Sequence, residues 1–112
     1  MLVTLMVPTQ NLLELRPIMN RVTRMWGGSY SVDAKGYWMS DRAGIVEDDC
    51  TLVCSSLGQF DPVARDWWTD LAQSIARTYE QECVYWTVGD VAYLTDRDGM
   101  TRIIGEDEDG DI

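Results

Sequence analysis

The stretch FDPVARDWWTDLAQSIARTYEQE, Phe60–Glu82, decides the fold. Asp61 can accept hydrogen bonds from the free N–H groups of a first helical turn. Pro62 suits the first helical position, where no N–H partner is needed. Ala64, Trp68, Leu71, Ile75 and Tyr79 then recur every three or four residues and draw one apolar stripe. A helix over Asp61–Glu82 with so continuous a stripe needs an apolar surface to cover. Most other segments read as partners for it.

Downstream, Cys83–Val88 is a strand rich in β-branched and aromatic residues. Gly89–Asp90 turns the chain into Val91–Leu94, and Asp96–Gly99 turns it again toward a short closing strand, Met100–Ile104. Upstream, Leu2–Val7 is apolar enough for a buried strand and Pro8 ends it. Thr9 or Asn11 caps a helix that runs to Trp26, with a kink or split expected at Pro17 and a stop at Gly27–Gly28. Gly28–Ser56 reads as a hairpin interrupted near Lys35–Gly36, because Asp33-Ala34-Lys35-Gly36 has turn composition. Cys50–Cys54 is apolar enough for a central strand.

The order β-α-β-β-α-β predicts an α+β, ferredoxin-like split βαβ sandwich with two helices on one face of an antiparallel sheet and a C-terminal β extension. One domain is expected over residues 1–104, followed by an acidic tail over 105–112. Five tryptophans and five tyrosines are many for one core of this size. A homodimer, or another partner on the open face or edge, would cover the surplus.

Net charge is −10, from 19 acids against 9 bases. Five of the acids are Glu106, Asp107, Glu108, Asp109 and Asp111, so the rest of the chain still carries −5. Such a chain is repelled by nucleic acid and by anionic membranes, and attracted to basic protein surfaces. The run MLVTLMVP is too short for a signal peptide and lacks a basic flank, which makes the cytoplasm the expected location. No apolar run approaches the roughly 18 residues of a membrane span.

The chain has no histidine. Cysteine–histidine and serine–histidine nucleophile pairs are therefore excluded. Cys50, Cys54 and Cys83 form no disulfide framework, and a zinc site would lack a fourth ligand. Asp48 and Asp49 are neighbours on a strand and point to opposite faces. Asp66 and Asp70 lie one helical turn apart and share a face, which a solvated surface explains. Asp96-Arg97-Asp98-Gly99 and Asp107-Glu108-Asp109-Gly110 resemble calcium loops in their start but lack the later ligands. Gly27–Gly28 follows a helix and no Lys-Ser/Thr follows it, so it is no phosphate loop. Trp68 belongs to the core stripe, and Trp67, turned by roughly 100°, lies at its margin as a closing rim or a partner anchor. Tyr37, Trp38 and Trp86 read as core or open-sheet residues.

The run GGSYSVDAKGYWMSDRAGIVEDD (Gly27–Asp49), with Gln81-Glu82-Cys83 before a strand, resembles a group of small bacterial and phage βαββαβ proteins of unknown function. Gly36, Trp38, Gly44, Gln81 and Glu82 carry the resemblance, with Tyr37 inserted between the first two. It implies a fold and a mobile-element origin. In character the chain also resembles acidic phage anti-defence proteins, of the anti-CRISPR and anti-restriction kind, some of which present carboxylates where phosphates would sit.

The function expected from these features is a non-enzymatic, phage- or mobile-element-encoded inhibitor of a host nucleic-acid-handling defence complex. It would bind a basic surface through Glu47, Asp48, Asp49, Asp66, Trp67, Asp70, Glu106, Asp107, Glu108 and Asp109, with no cofactor and no metal. The alternative is a ferredoxin-like homodimer that binds a small molecule or nucleotide. A small carboxylate- or tyrosine-based enzyme ranks below both.

Overall fold

The computed structural model describes residues 1–105. Its elements are β1 (Leu2–Val7), α1 (Leu12–Trp26), β2 (Tyr30–Ser40), β3 (Gly44–Ser56), α2 (Pro62–Thr78), β4 (Cys83–Val88), β5 (Val91–Asp96) and β6 (Thr101–Ile103). They build a mixed α+β fold around one six-stranded antiparallel sheet, in the order β2-β3-β1-β4-β5-β6. Both helices lie on the same face. No helix among the described residues is long and apolar enough to cross a membrane.

β1 is the centre because its alternate residues Val3, Leu5 and Val7 are wholly apolar and wholly buried. They meet Leu15 and Val22 of α1, and Trp68, Leu71, Ala72 and Ile75 of α2, in one cluster. Trp86 and Trp68 are fully buried within it. The buried polar groups of the strands on this face are each satisfied, whereas the indole N–H groups of Trp26 and Trp68, on the helices, are buried without a hydrogen-bond partner among the described residues. Thr51 Oγ1 donates to the carbonyl of Thr9 at 2.6 Å, and Ser55 Oγ to that of Gly28 at 2.7 Å. Trp86 Nε1 donates to Thr95 Oγ1 at 2.9 Å. An unmet group in such a core would cost about 1–3 kcal/mol. At one end of the layer Trp67 meets Trp26 and Trp68 nearly edge-on, with centroids 5.5 and 5.0 Å away, and Arg21 lies over its ring at 5.5 Å.

Asp61 caps α2 as its position predicts: Oδ1 accepts from the Ala64 N–H at 2.9 Å, an interaction typically worth about 1 kcal/mol. Asn11, not Thr9, caps α1, accepting from Leu13 and Glu14. Three expectations need correction. α1 is not split at Pro17 but runs as one helix from Leu12 to Trp26, with Pro17 on its exposed side. The Asp33–Gly36 segment is not a turn, since β2 pairs with β3 without a break from Tyr30↔Cys54 to Ser40↔Gly44. Cross-strand pairing outweighs turn composition there. α2 stops at Thr78, not Glu82. Its end is a double bond of Schellman type: Gln81 N donates to Ala76 O at 2.8 Å and Glu80 N to Arg77 O at 3.3 Å. Glu80 occupies the left-handed position at φ 53°, where glycine is usual.

Candidate functional site

Among the described residues, no helix lies on the second face of the sheet. Strand alternation puts Met6, Leu52, Trp38, Tyr85 and Leu94 on it, opposite in sense to Val3, Leu5, Val53 and Trp86. Trp38 is 44% exposed and Tyr85 39%. A cavity of about 690 Å³ opens here, at the C-terminal end of β1. That volume is within the roughly 300–1,000 Å³ of small-molecule sites.

Its floor is Met6, Pro8 and Gly36. Gly36 lies in extended backbone opposite Asp48. An added Cβ there would stand 3.6 Å from Met6 Sδ and 3.8 Å from a Trp38 ring carbon, so the missing side chain widens the floor. The aromatic walls are Trp38 and Tyr85; Tyr37 borders the cavity from a position that turns its ring to the other face of β2. The rim holds Asp48, Glu80, Glu82 and Cys83, with Cys50 buried beneath it; Asp49 borders it too, but its carboxylate turns to Lys35 on the other face of the strand, and no lysine or arginine lines the cavity among the described residues. Rings and carboxylates without opposing cations favour a positively charged, partly apolar guest. Phosphate would be repelled.

Three neighbouring acids have different surroundings. Lys35 Nζ stands 3.0 Å from Glu47 and 3.5 Å from Asp49. The hydrogen bond to Glu47, then its charge and that of Asp49, hold the ammonium above its ordinary pKa. Glu47 and Asp49 are thus partly neutralised, whereas Asp48 points to the open face. Burial, and then the charges of Asp49 and Asp48, push the Cys50 thiol up from its ordinary 9.0. Cys50 is therefore a neutral S–H at pH 7, not a nucleophile. Among the described residues, no group of three or more acidic or cysteine side chains is placed to hold a metal ion.

Of the residues singled out in the sequence, Asp48 faces this cavity, and Asp49 borders it with its carboxylate turned to Lys35. Glu47 sits beside them in the Lys35 pair. Asp66 lies by a second, mixed-charge groove of about 570 Å³ on the helix layer, with Arg65, Tyr93 and Met100. Asp70 is exposed on α2 and Trp67 is half-buried in the tryptophan cluster. The structure does not bring these three to the carboxylates of β3. Glu106, Asp107, Glu108 and Asp109 lie outside the described residues. Sequence reasoning missed Glu80 and Cys83 as cavity residues. The available signal was the helix end at residues 79–82, which lacks the expected glycine.

The architecture is that of a small α+β protein with an open, ligand-sized hollow on its uncovered sheet face. No family model matches the chain, and no curated protein is significantly similar to it. Its fold is similar to that of a phage SAM lyase solved in complex with S-methyl-5'-thioadenosine. The TM-score is 0.54 at 14% identity, covering 90% of this chain and 83% of that one. The apo state of a phage SAM lyase matches with a TM-score of 0.52 at 12% identity, over 90% and 82% of the two chains. These likenesses correct two expectations, the anti-defence inhibitor and the absence of enzymatic activity. The fold recurs in an enzyme that holds a small molecule, and the site geometry fits a small guest better than a broad basic surface. Binding of a small molecule, the alternative, is favoured in its place.

Proposed function

We propose that the cavity beneath Trp38 and Tyr85 binds an adenosyl sulfonium compound and that the protein is an enzyme acting on it, as a lyase of S-adenosylmethionine. The observation that carries this is the pairing of the Trp38 and Tyr85 rings with the carboxylates of Asp48, Glu80 and Glu82, none of which meets a cation among the described residues, in a hollow of suitable size. The shared fold with a phage SAM lyase supports it, and makes phage origin the natural source. We read β1–β4 with α1 and α2 as the ferredoxin-like unit, since their order in the sheet is β2-β3-β1-β4, and β5–β6 as its extension.

The chemistry suits this chain. S-methyl-5'-thioadenosine is what remains of S-adenosylmethionine when the bond from sulfur to the aminobutyryl arm breaks and its electron pair stays on sulfur, while the arm's own carboxylate oxygen bonds to the carbon that sulfur leaves and closes a lactone. Sulfur loses its positive charge in that step as the arm's carboxylate loses its negative one. Carboxylates and ring faces that hold the sulfonium lose their attraction for the neutral thioether, so product release is eased. With no histidine and a protonated Cys50, the site's contribution is to bind and orient the reacting arm. Any proton transfer falls to its carboxylates. Of the two guests weighed from sequence, a small molecule and a nucleotide, the phosphates of a nucleotide fit this acidic rim less well.

Incubation with S-adenosylmethionine, followed by mass spectrometry for S-methyl-5'-thioadenosine, tests the activity. Parallel titrations with both compounds and with ATP test the site. We expect the thioether product, and binding in the order sulfonium, thioether, ATP. Absence of turnover together with preferential ATP binding would sink the reading. The other end of the open face exposes Leu2, Tyr30 and Val32, at 42, 54 and 48%. A second copy of the chain is the partner we propose for that patch.

A further inference from the structure

The corner between α2 and β4 is held from outside itself. Glu80 takes a left-handed conformation that side chains with a Cβ avoid. Carbonyls at such a helix end need partners from elsewhere. Arg97, in the turn between β5 and β6, supplies them. Its Nε donates to Gln81 O at 2.9 Å and its Nη2 to Glu80 O at 3.0 Å. The grip is reciprocal, because the carbonyl of Arg97 accepts from Gln73 Nε2 at 3.0 Å and Arg77 Nε at 2.8 Å, both on α2. The turn is itself braced, with Asp96 Oδ1 accepting from the N–H groups of Asp98 and Met100. Glu80, Gln81, Glu82 and Cys83 together form one wall of the cavity.

We infer that Arg97 is a positioning residue, which fixes the carboxylate-bearing wall of the cavity by clamping the backbone at Glu80 and Gln81. The inference rests on the reading of this cavity as the ligand site. Arg97 acts through the backbone it holds and is not among the lining residues. Its planar fork meets two successive carbonyls at once, whereas a lysine ammonium is a single point donor without that fixed geometry.

Hydrogen exchange and calorimetry on wild type, Arg97→Lys and Arg97→Ala, well below the unfolding temperature, decide it. In Arg97→Ala, exchange over residues 79–84 should rise about tenfold while residues 50–55 keep their protection. Affinity for S-methyl-5'-thioadenosine should fall by roughly tenfold. Arg97→Lys should recover part of both. Unchanged corner exchange, a rise spread evenly over the sheet, or a loosened corner with wild-type affinity would each overturn the inference. If the wild type binds neither S-adenosylmethionine nor the thioether, the ligand reading fails by itself. The exchange data then still tell whether Arg97 holds the corner.

Discussion

The two faces of the sheet are made by the same strands and obey opposite rules. On the helix side, Val3, Leu5, Val7, Val53 and Trp86 are fully buried and each buried strand polar group has a hydrogen bond. On the other, Met6, Leu52 and Leu94 are half-covered, and Trp38 and Tyr85 stand partly in water beside carboxylates. Burial on the first face is spent on holding the fold. The exposed rings of the second contribute little to that and are free to meet a guest.

Matched substitutions sharpen this contrast. Trp86→Ala, on the closed face, should destabilise the protein by about 3–5 kcal/mol in urea unfolding. Trp38→Ala, on the open face, should cost about 1 kcal/mol or less in the same measurement. It should nonetheless weaken S-adenosylmethionine binding about tenfold or more, ~1.4 kcal/mol. If Trp38→Ala unfolds the protein as readily as Trp86→Ala, the division of labour between faces is wrong.

Glu80→Gly probes the boundary between the faces. Glycine accepts the left-handed backbone but adds freedom to the unfolded chain, so a net gain of about 0.5–1 kcal/mol is expected in thermal unfolding. The same change removes a carboxylate from the cavity wall and should weaken the sulfonium more than the thioether. A loss of stability would show that the glutamate side chain has a structural partner.

The smallest effect concerns the thiols. Cys83 is exposed and Cys50 buried, so iodoacetamide at pH 8 should modify Cys83 first, as read by mass spectrometry. The folded-state pKa of Cys50 lies above its ordinary 9.0. As pH climbs past that value the unfolded chain loses its proton first. The contribution of Cys50 to stability is therefore intact below pH 9.0 and lost as pH rises through the folded value. Cys50→Ala should flatten the decline of stability above pH 9.0, and equal decline in both proteins would count against burial of the thiol.

The closed face was legible in the sequence because it is local. Asp61, Pro62 and the stripe from Ala64 to Ile75 announce α2, and the apolar run Leu2–Val7 announces β1. The long β2–β3 hairpin was not, because Asp33-Ala34-Lys35-Gly36 has turn composition and only pairing with Cys50–Thr51 and the residues before them makes it a strand. The cavity was less legible still. Asp48 and Trp38 drew notice singly, but the site gathers residues from β1, β2, β3, β4 and the corner at Glu80, and no periodicity links them. Glu80 itself is an ordinary residue type in an unusual backbone state, which composition does not record.

The central place of β1 has a consequence for synthesis. Its two neighbours are β3 and β4, so β1, made before either, acquires its second partner only when Cys83–Val88 has emerged. Until then a run of Leu, Val and Met has one open edge. Contacts this far apart in sequence slow folding, and an unpaired apolar edge invites association with other nascent chains. A chain stopped before β4 would leave that edge, and the corner that completes the cavity, unmade.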